Sequence, residues 1–383
     1  MAILLKIFKT LIILLCISFA GHAQVPASQK LDPNMALKKV DTNGIAWFDP
    51  RNHPFDLIGF EWITEDSVYR RLPVHPDWSV REPVDQLANH TAGGQVRFVT
   101  DSRKILIKVE LMERSGMYHM PATGQSGFDL YVQDSGRQRY LKTSRFPYDT
   151  TRYQVELYNG DEKELHAFTL NFPLYNGVNS LQIGLEDGAV LKAPPPFSRP
   201  GKIVIYGTSI TQGGCVSRPG MAYSNILSRK LDIQFVNLGF SGNGRGEPEL
   251  ARLINQIQGT RMIILDYEAN ANETIINTLR PFIDILREKH TGLPILIISK
   301  IRYASAVRGT PAFKNLMRLR DFQKQLVTDM KNAGDKNIFF LDGSGILGED
   351  FDECTVDGVH PTDLGSERIA DALLPAILEI LNK

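Results

Sequence analysis

KIVIYGTSIT, residues 202–211, is the clearest indication of the fold in the C-terminal half of this 383-residue chain. The apolar residues 203–206 end at a glycine, and Ser209 follows two positions later. A short apolar run bounded by turn residues is typical of a strand buried on both faces of a sheet. Similar runs recur downstream and alternate with longer segments of 3.6-residue periodicity, which predicts βαβ units around a parallel sheet. The predicted strands are 202–206, 234–238, 262–265, 295–299 and 338–341.

The C-terminal half is therefore predicted to be an α/β domain with a doubly wound, flavodoxin-like sheet of five parallel strands. Right-handed crossovers place helices on both faces of such a sheet. Ligands of doubly wound sheets bind beyond the carboxyl ends of the strands. Polar residues that directly follow a predicted strand are therefore the candidates for a functional site.

The N-terminal half has a different periodicity, because apolar and polar residues alternate in short runs from about residue 45 to residue 188. A period of two is typical of strands with one buried face. Asn-Gly pairs at 159–160 and 176–177 favour hairpin turns, and an antiparallel β-sandwich would bury the apolar faces. The proline-rich segment 193–200 cannot join a helix or a central strand. We therefore predict an all-β sandwich domain at 24–192, a linker at 193–200 and the α/β domain at 201–383.

The first 23 residues have the pattern of a signal peptide. Two lysines precede the apolar run 11–20, and small residues end the segment at Ala23. The run is shorter than the roughly 20 residues that a membrane-spanning helix needs, and no later segment reaches that length. Cys16 follows Leu15, where a lipidated cysteine would follow a small residue, so a lipoprotein anchor is the less favoured alternative. We predict cleavage after Ala23 and export of a soluble protein to the periplasm or the medium.

The composition favours a neutral ligand. Lysine plus arginine and aspartate plus glutamate both number 43, so no net field attracts nucleic acid or an anionic membrane surface. Neither a C-x-x-C nor an H-E-x-x-H motif occurs, so no metal and no cofactor are expected. Two cysteines, Cys215 and Cys354, follow the predicted signal peptide. An oxidising compartment would permit a disulfide between them, and two partly buried free thiols are the alternative.

Ser209 is the first candidate catalytic residue, because it lies at the predicted end of a strand. The G-x-S-x-G motif of α/β-hydrolases is absent, since Thr211 stands where its second glycine would be. A serine at this place is equally suited to cap a helix. After the second strand, the turn that contains Gly242 can bring backbone N–H groups close to an anion, but Glu247 breaks the G-x-G-x-x-G dinucleotide motif. After the third strand, Asn270 offers a carboxamide donor.

A further pair of candidates lies near the C-terminus, where Asp357 and His360 precede the last predicted helix in the sequence DGVHP. One loop can thus present both an acid and a base. A histidine beside a proline is, by itself, more often a solvated loop residue. The prediction depends on the set, because Ser209, Gly242, Asn270 and this loop are all expected at one rim of the parallel sheet.

These segments, in this order, resemble the four signature blocks of the SGNH/GDSL hydrolase superfamily. Two departures occur, because GTS at 207–209 replaces the usual Gly-Asp-Ser and EAN at 268–270 replaces Gly-x-Asn-Asp. Neither removes a catalytic atom. Upstream, GFDLY at 127–131 resembles the Gly-x-Asp-Leu-Tyr signature of an N-terminal β-domain of exported bacterial esterases, and YRRLP at 69–73 and the segment 94–100 are also similar to it. The resemblance implies a jelly-roll-like sandwich that precedes a domain with the SGNH hydrolase fold.

The resemblance further implies a serine esterase with Ser209 as nucleophile, His360 as base and Asp357 as the acid that orients it. The Ser209 and Gly242 N–H groups and the Asn270 amide would form the oxyanion hole. Backbone carbonyls can replace the acid in this superfamily, so the contribution of Asp357 is left open. The implied substrate is an acyl ester, foremost an acetylated glycan or another small ester. The alternatives are a non-catalytic carbohydrate-binding protein on the same scaffold and a lipase or acyltransferase.

Overall fold

The fold is described for residues 40–382 of the chain in a computed structural model. The predicted signal peptide, with Cys16 and the cleavage site after Ala23, lies outside the described residues. Within the described range, no helix is long and apolar enough to cross a membrane.

Two antiparallel sheets and three short helices make up the N-terminal half of the described chain. They are β1 (Ile45–Phe48), β2 (Asp56–Ile58), α1 (Ile63–Asp66), α2 (Glu82–Leu87), β3 (Gln95–Thr100), β4 (Lys104–Leu111), α3 (Ala122–Gln125), β5 (Asp129–Asp134), β6 (Arg137–Thr143), β7 (Arg152–Asn159), β8 (His166–Asn171), β9 (Val178–Glu186) and β10 (Leu191–Lys192). One sheet has the order β1-β9-β4-β7, and the other has the order β10-β3-β8-β5-β6, with β2 paired to β3. Alternate residues of β4, such as Ile105 and Ile107, share one buried cluster with Phe98 and Leu170 of the other sheet. The predicted antiparallel β-half is confirmed.

The hairpin turns are not where the Asn-Gly pairs predict them. β7 ends at Asn159, but β8 belongs to the other sheet, and Gly177 likewise precedes a strand that lies opposite β8. Both pairs therefore mark crossings between the two sheets. A hairpin joins β5 to β6 at Ser135 and Gly136, whose φ angles are 49° and 82°. Two successive positive φ angles are what a type I′ turn requires.

The C-terminal half is built on a parallel sheet whose strands are β11 (Lys202–Gly207), β12 (Gln234–Gly239), β13 (Thr260–Asp266), β14 (Ile295–Ile298) and β15 (Ile338–Leu341). Their order is β12-β11-β13-β14-β15, and every pairing is parallel. This order confirms the predicted doubly wound sheet. The predicted strand bounds differ from the observed ones by at most two residues.

Helices cover both faces of the parallel sheet. They are α4 (Ser209–Gln212), α5 (Tyr223–Leu231), α6 (Pro248–Gln256), α7 (Glu268–Ala271), α8 (Ile275–Lys289), α9 (Pro311–Asn332) and α10 (Asp363–Leu381). In β11, Val204 and Tyr206 join an apolar cluster with residues of α6, α8 and α9, whereas Ile203 and Ile205 join a second cluster with residues of α5 and α10. The central strand is thus buried on both faces, as its apolar sequence predicts.

Part of the N-terminal half packs into the core of the α/β half. Leu72, Val84 and Ala88 belong to the same apolar cluster as α6 and α8, and Trp62 and Trp78 pack against it. The segment between β2 and β3 therefore contributes to the core beneath the C-terminal sheet as well as to its own half.

Candidate active site

The nucleophile candidate Ser209 is held at the start of a short helix directly after β11. Thr208 is the N-cap of α4, because its hydroxyl accepts the Ile210 N–H at 3.3 Å and its own N–H donates to Thr211 Oγ1 at 3.2 Å. A Cβ at Gly207 would lie 2.0 Å from Thr211 Oγ1, so only glycine fits there. The capping role that Ser209 was equally suited to fill thus belongs to Thr208. The threonine hydroxyl provides the acceptor that a helix N-terminus needs.

Ser209, His360 and Asp357 form a continuous chain of hydrogen bonds. Ser209 Oγ is 2.9 Å from His360 Nε2, and His360 Nδ1 is 2.8 Å from Asp357 Oδ2. Asp357 Oδ1 also accepts the backbone N–H groups of Val359 at 3.0 Å and of His360 at 2.8 Å. The structure therefore brings together the three residues that the sequence predicts as a triad.

The charge on Asp357 determines which atoms carry the protons in the chain of hydrogen bonds from Ser209 to Asp357. Burial by itself raises the pKa of Asp357, but the hydrogen bonds from His360 and Val359 outweigh it and lower the pKa below its usual value. The carboxylate is therefore charged at neutral pH and accepts the proton carried by His360 Nδ1. Nε2 is then left as the acceptor for the hydroxyl proton of Ser209. This arrangement can activate Ser209 as a nucleophile.

The predicted oxyanion donors lie in segments that contact the end of β11. Phe240 N–H donates to Gly207 O at 3.0 Å, which fixes the start of the glycine-rich turn. Gly242 has a φ of 68° in that turn, and within residues 40–382 its N–H donates no hydrogen bond. Asn270 Oδ1 accepts Gly244 N–H at 3.2 Å, which leaves the Asn270 Nδ2 group to donate elsewhere. Both groups are available beside the nucleophile strand, and their part in an oxyanion hole stays a prediction.

Side chains of the N-terminal half position the nucleophile loop. Tyr175 OH donates to Ser209 O at 2.9 Å. Gln212 Nε2 lies 3.1 Å from His90 Nδ1, and Gln212 Oε1 accepts Ser241 N–H at 3.0 Å. Burial lowers the pKa of His90 to about 4, so this ring is neutral at physiological pH. Gln212 thereby connects α4, the glycine-rich turn and the N-terminal half.

Arg71, in the YRRLP segment, is a buried cation beneath the glycine-rich turn. Its guanidinium donates to Gly239 O at 2.5 Å and to Asn237 O at 3.3 Å, at the carboxyl end of β12. It also donates to Leu87 O and His90 O at 2.7 Å each. Burial lowers the pKa of Arg71 to about 9, so the group is still charged at neutral pH. The conformation of the turn that carries Gly242 thus depends on a residue of the other half.

Asp129, the acidic residue of the GFDLY segment, connects β5 to the chain that follows the nucleophile helix. The residue is fully buried. Its Oδ2 accepts Gly220 N–H at 2.8 Å and Arg218 Nη1–H at 2.9 Å, and its Oδ1 accepts Asn171 Nδ2–H at 2.8 Å. Arg218 also donates to the hydroxyl of Tyr131, in the same segment. The GFDLY segment therefore fastens the β-half to the catalytic half.

His119 is a site residue that the sequence did not reveal. It lies in the loop between β4 and α3, and its ring centroid is 5.6 Å from that of His360, with the rings edge to face. The neighbouring Tyr118 is 93% exposed, and its ring centroid is 4.5 Å from that of His119. No local motif marks this histidine, because its place beside the base depends on how the loop packs against the other half.

Asp266, the last residue of β13, was also missed. Its Oδ2 accepts hydrogen bonds from Tyr223 OH at 2.5 Å and from Thr211 Oγ1 at 3.0 Å. Burial raises the pKa of this carboxyl to about 6 against the effect of those hydrogen bonds. Because Thr211 also takes part in the cap of α4, Asp266 supports the nucleophile helix. A carboxylate at a predicted strand end was the signal that could have identified it.

The two cysteines are buried free thiols, so the structure agrees with the second of the two alternatives that the sequence left open, a disulfide or free thiols. Cys354 Sγ is 3.1 Å from Arg368 Nη1 and 3.7 Å from Leu347 O. Cys215 packs instead in a separate apolar cluster with Tyr175. The two thiols lie in different apolar clusters of the core, which explains why no disulfide joins them.

Two family models match the chain. Residues 201–378 match the GDSL-like Lipase/Acylhydrolase family, and residues 45–191 match the N-terminus of Esterase_SGNH_hydro-type. The comparison with curated protein sequences gave no match. The two matched ranges adjoin the predicted linker at 193–200 on either side.

Three solved structures illustrate the similarity, each over 88% or 89% of this chain. A protein from Bacteroides ovatus ATCC 8483 described as a GDSL-like lipase is 31% identical, with 88% of this chain and 98% of that chain covered and a TM-score of 0.81. The salicylyl-acyltransferase SsfX3 from a tetracycline biosynthetic pathway is 19% identical, with 89% and 99% covered and a TM-score of 0.70. A family two carbohydrate esterase from Cellvibrio japonicus is 15% identical, with 88% and 98% covered and a TM-score of 0.57. The last two likenesses concern the fold alone.

Proposed function

Because this chain belongs to the SGNH/GDSL hydrolase superfamily, we propose that it is an exported serine esterase that removes short acyl groups, foremost acetyl, from carbohydrates. The observation that carries the proposal is the hydrogen-bonded chain from Ser209 through His360 to Asp357, with distances of 2.9 and 2.8 Å. A carbohydrate-binding protein without catalysis has no need of this geometry. Export rests on the predicted signal peptide at 1–23.

Hydrolysis would begin when Ser209 Oγ attacks the ester carbonyl carbon while His360 Nε2 takes the hydroxyl proton. Asp357 stabilises the imidazolium that forms. The carbonyl oxygen becomes an oxyanion, which the N–H groups of Ser209 and Gly242 and the Asn270 amide would receive. When the intermediate collapses, the sugar hydroxyl leaves with the proton from His360 and an acyl-serine remains. Water, deprotonated by His360, then attacks the acyl group, releases the acid and restores Ser209.

Two observations support a neutral carbohydrate as the substrate. The balance of 43 basic and 43 acidic residues does not favour a charged polymer. Proteins of the same fold are described as carbohydrate esterases, one of them from Clostridium thermocellum in complex with cellohexaose.

Acyl transfer is the second candidate activity. The structure of a salicylyl-acyltransferase matches 89% of this chain with a TM-score of 0.70. An acyl-serine at Ser209 can be captured by an alcohol as well as by water, so the same residues would serve both reactions. Hydrolysis in the presence of added sugar or phenol acceptors, with products separated by mass, distinguishes the two activities.

Acetate release from a panel of acetylated oligosaccharides tests the proposed function. The panel is assayed with the unmodified protein, with Ser209→Ala, and with Ser180→Ala, which alters an exposed serine of β9. We expect release by the unmodified protein and by Ser180→Ala, and almost none by Ser209→Ala. The absence of acetate release by the unmodified protein would contradict the substrate proposal, and equal release by all three proteins would contradict the catalytic role of Ser209.

A further inference from the structure

Three potential metal ligands from three separate segments converge at the candidate active site. They are His119 from the loop before α3, Cys215 from the segment after α4, and His360 from the loop before α10. One ligand atom of each residue lies within 4.8 Å of the ligand atoms of the other two. The three segments lie far apart in the sequence, so no sequence motif predicts the cluster.

The chemistry of the three ligands selects the kind of metal ion. Two imidazoles and one thiol provide nitrogen and sulfur donors, which zinc prefers, whereas magnesium and calcium prefer oxygen. In a tetrahedral zinc site the bond lengths of about 2.0–2.3 Å place neighbouring ligand atoms about 3.3–3.7 Å apart. A separation of at most 4.8 Å is therefore closed by side-chain movements of about 1 Å. The fourth position would be left to water.

The surroundings of the ligands agree with a site for a metal ion. His119 Nδ1 is buried and has no hydrogen-bond partner within residues 40–382. Cys215 is a buried free thiol in an apolar cluster, and within residues 40–382 its Sγ makes no hydrogen bond. His360 Nδ1 faces Asp357 at 2.8 Å, which is the arrangement that orients a histidine to offer Nε2 to a metal.

We propose that His119, Cys215 and His360 form an inhibitory zinc site, in which the ion occupies the catalytic base. Zinc takes the lone pair of His360 Nε2 to which Ser209 would otherwise give its proton, so the serine is no longer activated. The thiol proton of Cys215 is released to solvent on coordination, and no electron is transferred. This inference goes beyond the proposed esterase function, since it concerns a ligand that turns the site off.

Metal binding is tested first without any substrate, on the full chain carrying Ser209→Ala. Cobalt(II), a spectroscopic stand-in for zinc, is titrated into this protein and into versions that also carry Cys215→Ala, His119→Gln or Cys354→Ala. We expect a thiolate-to-cobalt charge-transfer band in the first protein and in the Cys354→Ala version, which removes the other buried thiol. The band should vanish with Cys215→Ala, and His119→Gln should weaken cobalt binding by about 10-fold or more. Zinc should displace the cobalt and abolish the band.

Inhibition is tested on the active protein with 4-nitrophenyl acetate. Zinc should inhibit reversibly, magnesium should not, and a chelator should restore the rate. Each variant's rate is compared with its own rate without zinc. Cys215→Ala should raise the zinc concentration needed for half inhibition by about 10-fold or more, whereas Cys354→Ala should leave that concentration unchanged. A buried thiol packs like a small apolar group, so alanine is a mild replacement, and thermal melting of both variants checks the fold.

Two results would overturn the proposed site. The first is that the Ser209→Ala protein shows no charge-transfer band and no displacement of cobalt by zinc. This result would rule out the metal site whether or not the esterase proposal is right. The second is equal zinc sensitivity of Cys215→Ala and the unmodified protein, which would place zinc on His360 alone. If the protein has no esterase activity but the band forms and depends on Cys215 and His119, the site stands and the proposed function fails.

Discussion

The two carboxylate oxygens of Asp357 accept hydrogen bonds from different groups. Oδ2 accepts the His360 imidazole proton, and Oδ1 accepts two backbone N–H groups of the loop. Asp357→Asn can keep the loop contacts but loses the charge that holds the tautomer, so we expect kcat/KM to fall by up to about 10⁴-fold. His360→Ala removes the base and should lose more. Hydrolysis rates of 4-nitrophenyl acetate across a pH series compare the two variants, and equal, total loss in both would contradict this ranking.

Asp266 links pH to stability. Its pKa is about 6 in the folded protein against an ordinary 3.8, so the folded state holds this proton more tightly than the unfolded chain does. Protonated Asp266 contributes its full stabilisation below about pH 4, and this contribution is lost as the pH rises through about 6. It amounts to at most about 3 kcal/mol of the free energy of unfolding. Asp266→Asn keeps an acceptor for Tyr223 and Thr211 and should remove this pH dependence.

Urea unfolding at several values between pH 4 and pH 7 measures the effect. The exposed Asp284 gives the matched control, because Asp284→Asn should leave the slope of stability against pH unchanged. A slope that is the same in Asp266→Asn and in the unmodified protein would show that the buried carboxyl does not titrate as described.

At the scale of single residues, what the sequence could predict depended on local context. Ser209 and Asn270 were identifiable because each follows an apolar run that reads as a strand, and Asp357 and His360 because they share one short loop. His119 had no such context. His119 lies close to His360 because two segments about 240 residues apart in the sequence pack together. Hydrophobic periodicity does not predict such packing.

Among the structural elements, the end of β12 and the glycine-rich turn depend on Arg71. The guanidinium is the donor for Gly239 O and Asn237 O, and lysine cannot reproduce its planar set of donors. We expect Arg71→Lys to lower the free energy of unfolding by about 3 kcal/mol or more and to reduce kcat, because the turn that carries Gly242 loses its support.

Arg70→Lys is the matched control for this prediction. Arg70 precedes Arg71 but donates hydrogen bonds to the side chains of Asp85 and Asn89 and, within residues 40–382, makes no hydrogen bond to the turn. Urea unfolding and kcat for 4-nitrophenyl acetate should therefore change little in Arg70→Lys. Equal effects of the two substitutions would contradict the role given to Arg71.

The elements of the two halves were predicted with different accuracy. The parallel strands are apolar on both faces, and their predicted bounds differ from the observed ones by two residues or fewer. In the β-half, alternation identified strands but could not say which sheet each strand joins. The Asn-Gly pairs at 159–160 and 176–177 therefore looked like hairpins, although the chain crosses between sheets there.

On the scale of the whole molecule, Asp129 couples the two halves through a buried ion pair. Its carboxylate is paired with Arg218 at 2.9 Å and also accepts Gly220 N–H. Removing one charge of a buried pair costs about 3–5 kcal/mol, so Asp129→Asn should lower the free energy of unfolding by that amount. Asp134→Asn changes an exposed acid of the same strand and should leave stability almost unchanged.

Denaturant unfolding of both variants, followed with esterase activity, checks the coupling. Because residues 218–220 follow the nucleophile helix, activity should be lost together with the structure in a single transition for Asp129→Asn. Separate unfolding of the β-half, with esterase activity retained, would contradict the predicted coupling of the two halves. The sequence could indicate this coupling only through the resemblance of GFDLY to a known signature, since the contacts join residues about 90 positions apart.

Covalent labelling tests whether Ser209 is the nucleophile of a serine esterase. The protein is treated with a serine-directed phosphonate, weighed by intact-mass spectrometry and mapped by peptides. We expect one adduct, on Ser209, with loss of 4-nitrophenyl acetate hydrolysis in proportion to labelling, and no adduct on Ser209→Ala. An adduct on another residue, or full hydrolysis by a protein labelled at Ser209, would show that Ser209 is not the nucleophile.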